Sequence, residues 1–528
     1  MNQLANRLQV PSVRQHVSAS TALTAIVILV ATVLPRLMVV GGLPTTDEGF
    51  YAYFAQLIHA NLDAGRGLPH AGTLMIYPLL VSWVFGLPAN HMILLRLVDL
   101  FVAAVASWLL CRVIEKESGS HVAGALISLV FLFIMNQPLF IQCGFKNSIF
   151  AAYVPLFLAL RLGQDSMIGT YSAWWGAGAL TALAVLLRET FLPFLVVGAL
   201  AVVMSYGWRA CLRYALGATA SALLVTAVIL GARGGFVTLV DAYRDASVVY
   251  ASVTDQRVSL FVANGVLSAQ EATVALVLGA MGTVAFFVTT FTHKCQTNLR
   301  RLMFWACAAM VPLLEPASKI GYPYNFAVCL PGLAGLAALG WKNTLNGRVS
   351  SSATRLAALA MVICVLSLFP KFISLTSQWP ATHNALQSTF SGTWPSNAIE
   401  QSNYLLASEA IRKVVPPNST LSISGFMYAL YPLTGLLPPS NDLNNLSACL
   451  IKLDLNAERF KQALLANPPD VLMTTTRTDW PGANTLSKVV RESGLYEQVG
   501  NIPVASSKSY GSFGGTVYRR IRHAQFSQ

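Results

Sequence analysis

The sequence predicts a polytopic α-helical membrane protein of about eleven spans with a C-terminal α/β domain outside the membrane. Three observations predict it. Of the 528 residues, 55% are hydrophobic and only 11% charged, a balance that belongs to the bilayer. The apolar residues fall in long runs whose alternate gaps hold the cations. From about Lys371 onward, Ser, Thr, Asn and Pro replace those runs.

The first run, Thr21 to Val40, is long enough to cross a hydrocarbon core of roughly 30 Å at 1.5 Å per residue. Arg7 and Arg14 precede it, and no small-residue cleavage site follows, so it reads as a retained helix with a cytoplasmic N-terminus. Further spans are expected near 92–114, 121–138, 148–163, 171–187, 190–206, 214–231, 272–291, 302–317, 325–341 and 355–370. With this topology, the inner gaps hold Arg112 and Lys116, Arg161, Arg209 and Arg213, Lys294 with Arg300 and Arg301, and Lys342 with Arg348 and Arg355. Each is basic, as the positive-inside rule requires, and the tail then lies on the outer face. The net charge of +13 is therefore read as topology; no basic stripe interleaved with aromatics points to nucleic acid.

Three outer segments exceed plain turns: Gly41 to His91, Ala232 to Glu271, and the tail. In the first, Phe50 to Ile58 and Leu74 to Leu87 read as helices lying on the membrane surface. A crossing at 73–87 is the alternative, but it would invert every later loop and place the basic ones outside. In the tail, helical spacing over Ser402 to Val415, Ala457 to Ala466 and Thr485 to Glu492 alternates with strand patterns over Ser419 to Gly425, Val471 to Thr474, Tyr496 to Ile502 and Gly515 to Ile521. The expected division is a transmembrane part over 1–370, with the outer loop 41–91, and a soluble α/β domain over 371–528.

The chemistry is concentrated in short motifs. Asp47 and Glu48 stand directly after the first span, where adjacent carboxylates are costly unless they act. Capping of the next helix at its positive N-terminus is the plainer reading, and the two are compatible. Arg188 lies at the outer end of the span 171–187, where topology gives no reason for a cation; an ion pair with Glu189 or another intramembrane carboxylate is its alternative. Arg96 likewise stands near an outer end and is offered Asp99 one turn on. Lys319 neighbours Tyr322 and Tyr324, and Lys146 lies in the second outer loop. His59, His70 and His91 offer general bases or metal ligands, with surface histidines as the plainer reading at such wide spacing. Eight scattered cysteines give no disulfide framework, with Cys143 and Cys449 as the one conceivable outer pair. Asn418 and Asn445 begin Asn-x-Ser/Thr patterns.

In order and placement, four motifs resemble those of the GT-C superfamily of polytopic glycosyltransferases, the group of the protein O-mannosyltransferases and the aminoarabinose transferases of lipid A. They are Asp47-Glu48 followed by Gly-Phe-Tyr, Tyr77-Pro78-Leu79-Leu80 leading to Leu95-Arg96-Leu97, Leu186-Leu187-Arg188-Glu189-Thr190, and Tyr322-Pro323-Tyr324-Asn325-Phe326 ahead of Leu330-Pro331-Gly332-Leu333. The resemblance implies a glycosyltransferase of the inner (plasma) membrane that moves a hexosyl or pentosyl unit from a polyprenyl-phosphate carrier to a lipid, glycan or protein acceptor on the outer face. Inverting transfer needs a base for the acceptor hydroxyl, and the resemblance assigns that role to Asp47, with Glu48 second. The leaving phosphate needs cations; Arg188, Arg96 and Lys319, with Tyr322 and Tyr324, are the donor-binding candidates.

Two departures matter. Gly144-Phe145-Lys146-Asn147 lacks the acidic residue many relatives carry in that loop, which puts a divalent cation in doubt. Met75-Ile76-Tyr77 lacks a cation ahead of its Pro-Leu, shifting phosphate binding towards Arg188 and Lys319. A polysaccharide polymerase or ligase and a secondary transporter remain as other classes, although no internal duplication of the transporter kind is visible.

Overall fold

The computed structural model describes residues 19–65, 67–68, 76–141, 149–165, 172–233, 257–293, 296–318, 322–343, 351–388, 402–416, 418–423, 427–439, 455–475, 482–502 and 515–521. Helix α1 (Ala19–Ile28) runs through a π-helical turn (Leu29–Val33) into α2 (Leu34–Val39). The segment after the first span then forms α3 (Thr46–Asp63) and α4 (Ile76–Val81), with a 3₁₀ turn at Ser82–Gly86. The membrane helices that follow are α5 (His91–Ser118), α6 (His121–Met135), the short α7 (Pro138–Ile141), α8 (Ile149–Asp165), α9 (Ser172–Leu187), α10 (Leu192–Tyr206) and α11 (Trp208–Arg233). After α12 (Arg257–Glu271) come α13 (Thr273–His293), α14 (Gln296–Met310), α15 (Leu314–Ser318), α16 (Pro323–Phe326), α17 (Leu330–Asn343) and α18 (Ser351–Leu366).

Each of the eleven expected spans therefore holds a helix, yet fewer are long and apolar enough to cross by themselves. Among the described residues six qualify, from Ser20–Val39 to Arg355–Thr376, and a seventh does if α12 and α13, bent by 79° at their junction, count as one. The shortfall has local causes. His121–Met135, Ile149–Gln164 and Ala173–Leu187 are apolar but short. Pro312 sits in a 3₁₀ turn (Val311–Leu313) that interrupts the stretch expected at 302–317, since proline cannot donate to a continuing helix. Ile76–Gly86 is likewise too short for a crossing, at about 1.5 Å per residue.

Helix α19 (Phe369–Thr376) completes the last span, and α20 (Trp379–Ser388) follows it. They fold back on the first one: Thr382 is fully buried and its Oγ1 donates to Met38 O at 2.6 Å. Lys371 Nζ meets Glu271 Oε1 at 2.6 Å, tying α19 to the α12–α13 elbow.

The tail contains α21 (Asn403–Val414), β1 (Leu421–Ile423), α22 (Leu430–Thr434), α23 (Leu455–Ala466), β2 (Val471–Thr475), α24 (Gly482–Glu492), β3 (Tyr496–Ile502) and β4 (Gly515–Arg520). The strands form one sheet in the order β1-β2-β4-β3. The β1–β2 pair is parallel, with Leu421 opposite Val471, and the other two pairs are antiparallel. This alternation of helix and strand follows the sequence pattern closely. One apolar cluster joins α3, α4 and the start of α5 to α21, α22 and the sheet. A second and larger one fills the space between α1, α5, α6, α8, α13, α14 and α17.

Candidate active site

The turn carrying the two carboxylates is written into its sequence. Thr45 is the N-cap of α3, and its Oγ1 accepts from Glu48 N while Thr45 N donates to Glu48 Oε2, each at 3.4 Å. This reciprocal capping box places Asp47 and Glu48 in the first helical turn, where the exposed N–H groups and the dipole favour negative charge. The capping reading of Glu48 thus holds. Asp47, beside it, is half-buried.

Glu48 is 0% exposed, and its charge is answered by Arg96 on α5, itself 1% exposed. Arg96 Nε donates to Glu48 Oε1 at 2.5 Å and Nη2 donates to Oε2 at 2.7 Å, a two-point fork. Its Nη1 donates to Val40 O and Gly42 O, both at 2.6 Å, and Nη2 also reaches Leu43 O at 3.5 Å. All five guanidinium N–H groups are thereby engaged by the protein. Arg96 has no donor left over for a phosphate, and its partner is Glu48, which replaces both sequence expectations for it. It instead fastens the exit of the first span to the first turn of α3.

One turn along α5, Asp99 is buried and bridges Arg36 and Tyr77. Arg36 Nη1 donates to Asp99 Oδ2 at 2.5 Å, and Tyr77 Oη donates to Oδ1 at 3.1 Å. Arg36 Nε donates to Asn136 Oδ1 at 2.6 Å, and the guanidinium lies 4.2 Å from the centre of the Phe150 ring. Asn136 Nδ2 in turn donates to Ala31 O, Thr32 Oγ1 and Leu132 O. The sequence reading passed over Arg36; a lone cation inside an apolar span is the signal that marks it, because such a charge demands a partner. A cavity of about 10 Å³ lies beside the pair, lined by Tyr153 and Ala327 among others, and is about the size of one water.

Arg188, Tyr322 and Tyr324 come together in the fold. Arg188 is 8% exposed, and its Nε donates to Thr190 Oγ1 at 3.1 Å. Its guanidinium lies 5.5 Å from the centre of the Tyr324 ring, within cation–π range. Tyr322 stacks on Tyr324 at 5.6 Å with planes 8° apart and is 37% exposed. The result is a guanidinium against the buried Tyr324 ring, with the more exposed Tyr322 stacked on that ring. Phe191, just beyond Thr190, packs edge-on against Tyr153 at 5.1 Å, so this cluster adjoins the wall of the small cavity.

The tail covers α3. Tyr53 packs on Tyr428 at 5.3 Å and Tyr431 at 4.5 Å, while Phe50 meets Tyr428 edge-on at 5.2 Å. Gln56 Nε2 donates to Leu436 O at 3.4 Å. Gly49 faces Ala429 so closely that a Cβ at residue 49 would lie 2.5 Å from the Ala429 Cα. A glycine inside a helix costs roughly 1 kcal/mol relative to alanine, and this contact is what requires it.

Lys319 and Lys146, His70, the Cys143–Cys449 pair and Asn445 lie outside the described residues. His59 pairs with Asp63 at 3.3 Å, and His91 Nε2 lies 3.0 Å from Leu87 O. Asn418 occupies a turn at φ 70°. Among the described residues, no three His, Cys, Asp or Glu side chains converge as a metal site would need.

No protein-family model matches the chain, and no curated protein sequence does. Among solved structures, ArnT from Cupriavidus metallidurans bound to undecaprenyl phosphate matches with a TM-score of 0.53 at 11% identity, over 96% of this chain and 99% of that one. Arabinosyltransferase EmbB from Mycobacterium smegmatis matches with a TM-score of 0.45 at 15% identity, over 87% of this chain and 44% of that one. The first likeness runs nearly end to end in both chains and includes the tail. On it, the chain has the fold of that structure.

Proposed function

We propose that this protein is a membrane glycosyltransferase that moves a sugar from a polyprenyl-phosphate carrier to an acceptor hydroxyl on the outer face of the membrane. The observation that carries the reading is the half-buried Asp47 on a turn fixed by the Glu48–Arg96 fork at the exit of the first span. The end-to-end likeness to a protein whose structure holds undecaprenyl phosphate supports the donor class.

In this reading, Asp47 takes the proton from the acceptor O–H as that oxygen attacks the anomeric carbon. The bond from that carbon to the phosphate oxygen breaks on the opposite face, so the configuration inverts and polyprenyl phosphate leaves with its added negative charge. Arg188, backed by Tyr324 and Tyr322, receives that charge, because a guanidinium stays protonated and matches phosphate oxygens. Glu48 and Arg96 position the turn and do not touch the reacting atoms. The protein then sits in the inner membrane with its N-terminus cytoplasmic and its tail outside.

The test is transfer of labelled sugar from a polyprenyl-phosphate donor pool in membranes holding wild type or Asp47→Asn at equal expression. Loss of a general base lowers the rate by about 10²- to 10⁴-fold. Full activity in Asp47→Asn removes it as the base.

A further inference from the structure

We infer that Gly49 is a positioning residue: its missing side chain lets the tail seat its backbone at Ala429 against the turn that carries Asp47, so docking of the tail sets where the carboxylate stands. This rests on the reading of Asp47 as the base.

The contact is two residues from Asp47 and on the same helical turn. It is also backbone to backbone. The atoms facing Gly49 include Ala429 N and Cα, which no rotamer change can withdraw. The two partners are held from opposite sides. On the tail side, Tyr431 Oη accepts from Ile423 N at 3.0 Å, locking α22 to β1, and Arg412 Nη2 donates to Leu433 O. The Phe50, Tyr53 and Tyr428 rings surround the contact. On the membrane side, Glu48 is fixed to Arg96 on α5. A methyl group added at residue 49 therefore has no soft neighbour to displace. The displacement falls on the short turn between the two anchors, and Asp47 is on that turn. Aspartate geometry matters because a shift of about 1 Å at a reacting group can cost around 100-fold in rate.

The experiment uses the full chain in membranes, with transfer of labelled sugar from the polyprenyl-phosphate donor pool followed across pH. Gly49→Ala is compared with Gly494→Ala, which introduces strain at a φ of +66° in the tail with no neighbour near the added atom. Expected is a loss of about 10- to 100-fold in Gly49→Ala with a displaced pH profile, because the base moves relative to its surroundings. Gly494→Ala lowers the melting temperature and leaves rate and profile in place. A Gly49→Ala protein with wild-type rate and profile overturns the proposal. Should Gly49→Ala not fold, Phe50→Leu loosens the same contact without adding bulk; a smaller loss with a displaced profile supports the proposal, and an unmoved profile overturns it. Absence of transfer by wild type removes the underlying reading and this inference with it, whereas wild-type transfer equalled by Gly49→Ala removes the inference alone.

Discussion

Arg96 and Asp99 stand one turn apart on α5 and reach to different partners, Arg96 to Glu48 at 2.5 Å and Asp99 to Arg36 at 2.5 Å. The order of signs along α5 is thus answered in reverse by the first span and the segment that follows it. Fixing a loop this way is costly in desolvation and therefore sensitive to the loss of either partner.

Removing one member of the upper pair should be severe. Arg96→Met or Glu48→Gln alone is expected to lower stability by about 3–5 kcal/mol, because each leaves the other group buried without its partner. The double variant recovers much of that loss. Thermal unfolding of purified protein in detergent reads both, and single variants within about 1 kcal/mol of wild type would contradict the burial argument.

The lower network predicts a ranking. Arg36→Gln strands the buried Asp99 carboxylate and should cost about 3–5 kcal/mol. Tyr77→Phe removes one donor and leaves the Arg36 bond, so about 1–3 kcal/mol is expected. Reversal of that order in unfolding measurements would show that Tyr77 does more than donate to Asp99.

Arg188 should be needed as arginine. If the proposed function holds, Arg188→Gln weakens binding of a polyprenyl phosphate by about 10- to 100-fold, the scale of a hydrogen bond to a charged group. Arg188→Lys restores only part, since an ammonium lacks the planar face that lies over Tyr324. Equal binding by Lys and Arg variants in a fluorescence-quenching titration would reduce the site to a point charge.

By contrast, Arg519 on β4 and Glu497 on the adjacent β3 form an exposed pair at 2.7 Å. Glu497→Gln should change stability by less than about 1 kcal/mol and fade further in salt. A larger effect in the same unfolding assay would mean the pair is covered in the membrane-bound protein.

Much of the architecture was legible in the sequence because it depends on near neighbours. Runs of apolar residues marked the helices, the Thr45-to-Glu48 spacing is that of a capping box, and alternation in the tail marked β1 to β4 within a residue or two. The pairing at the candidate site was not legible in the same way. Glu48 meets Arg96 across 48 positions and Arg36 meets Asp99 across 63, whereas the sequence offered Asp99 to Arg96 at helical spacing. Local spacing proposes partners on one helix, but in a bundle of packed spans the partner across the interface wins. Arg188, Tyr322 and Tyr324 were found through motif order, and their mutual stacking required the fold.

The π-helical turn at Leu29–Val33 carries a further consequence, one of phase. A widened turn holds one residue more than a regular helix would use over the same rise. Everything after it, including Arg36, is therefore rotated relative to the helix before it. Wound as a regular α-helix with all its residues kept, this turn would swing the following segment by about 100°, at 3.6 residues per turn. Arg36 would then point away from Asp99 and Asn136. The first span thus behaves as two helices with separate angular settings, the earlier one set by its neighbour α6 and the later one by the buried charge it delivers.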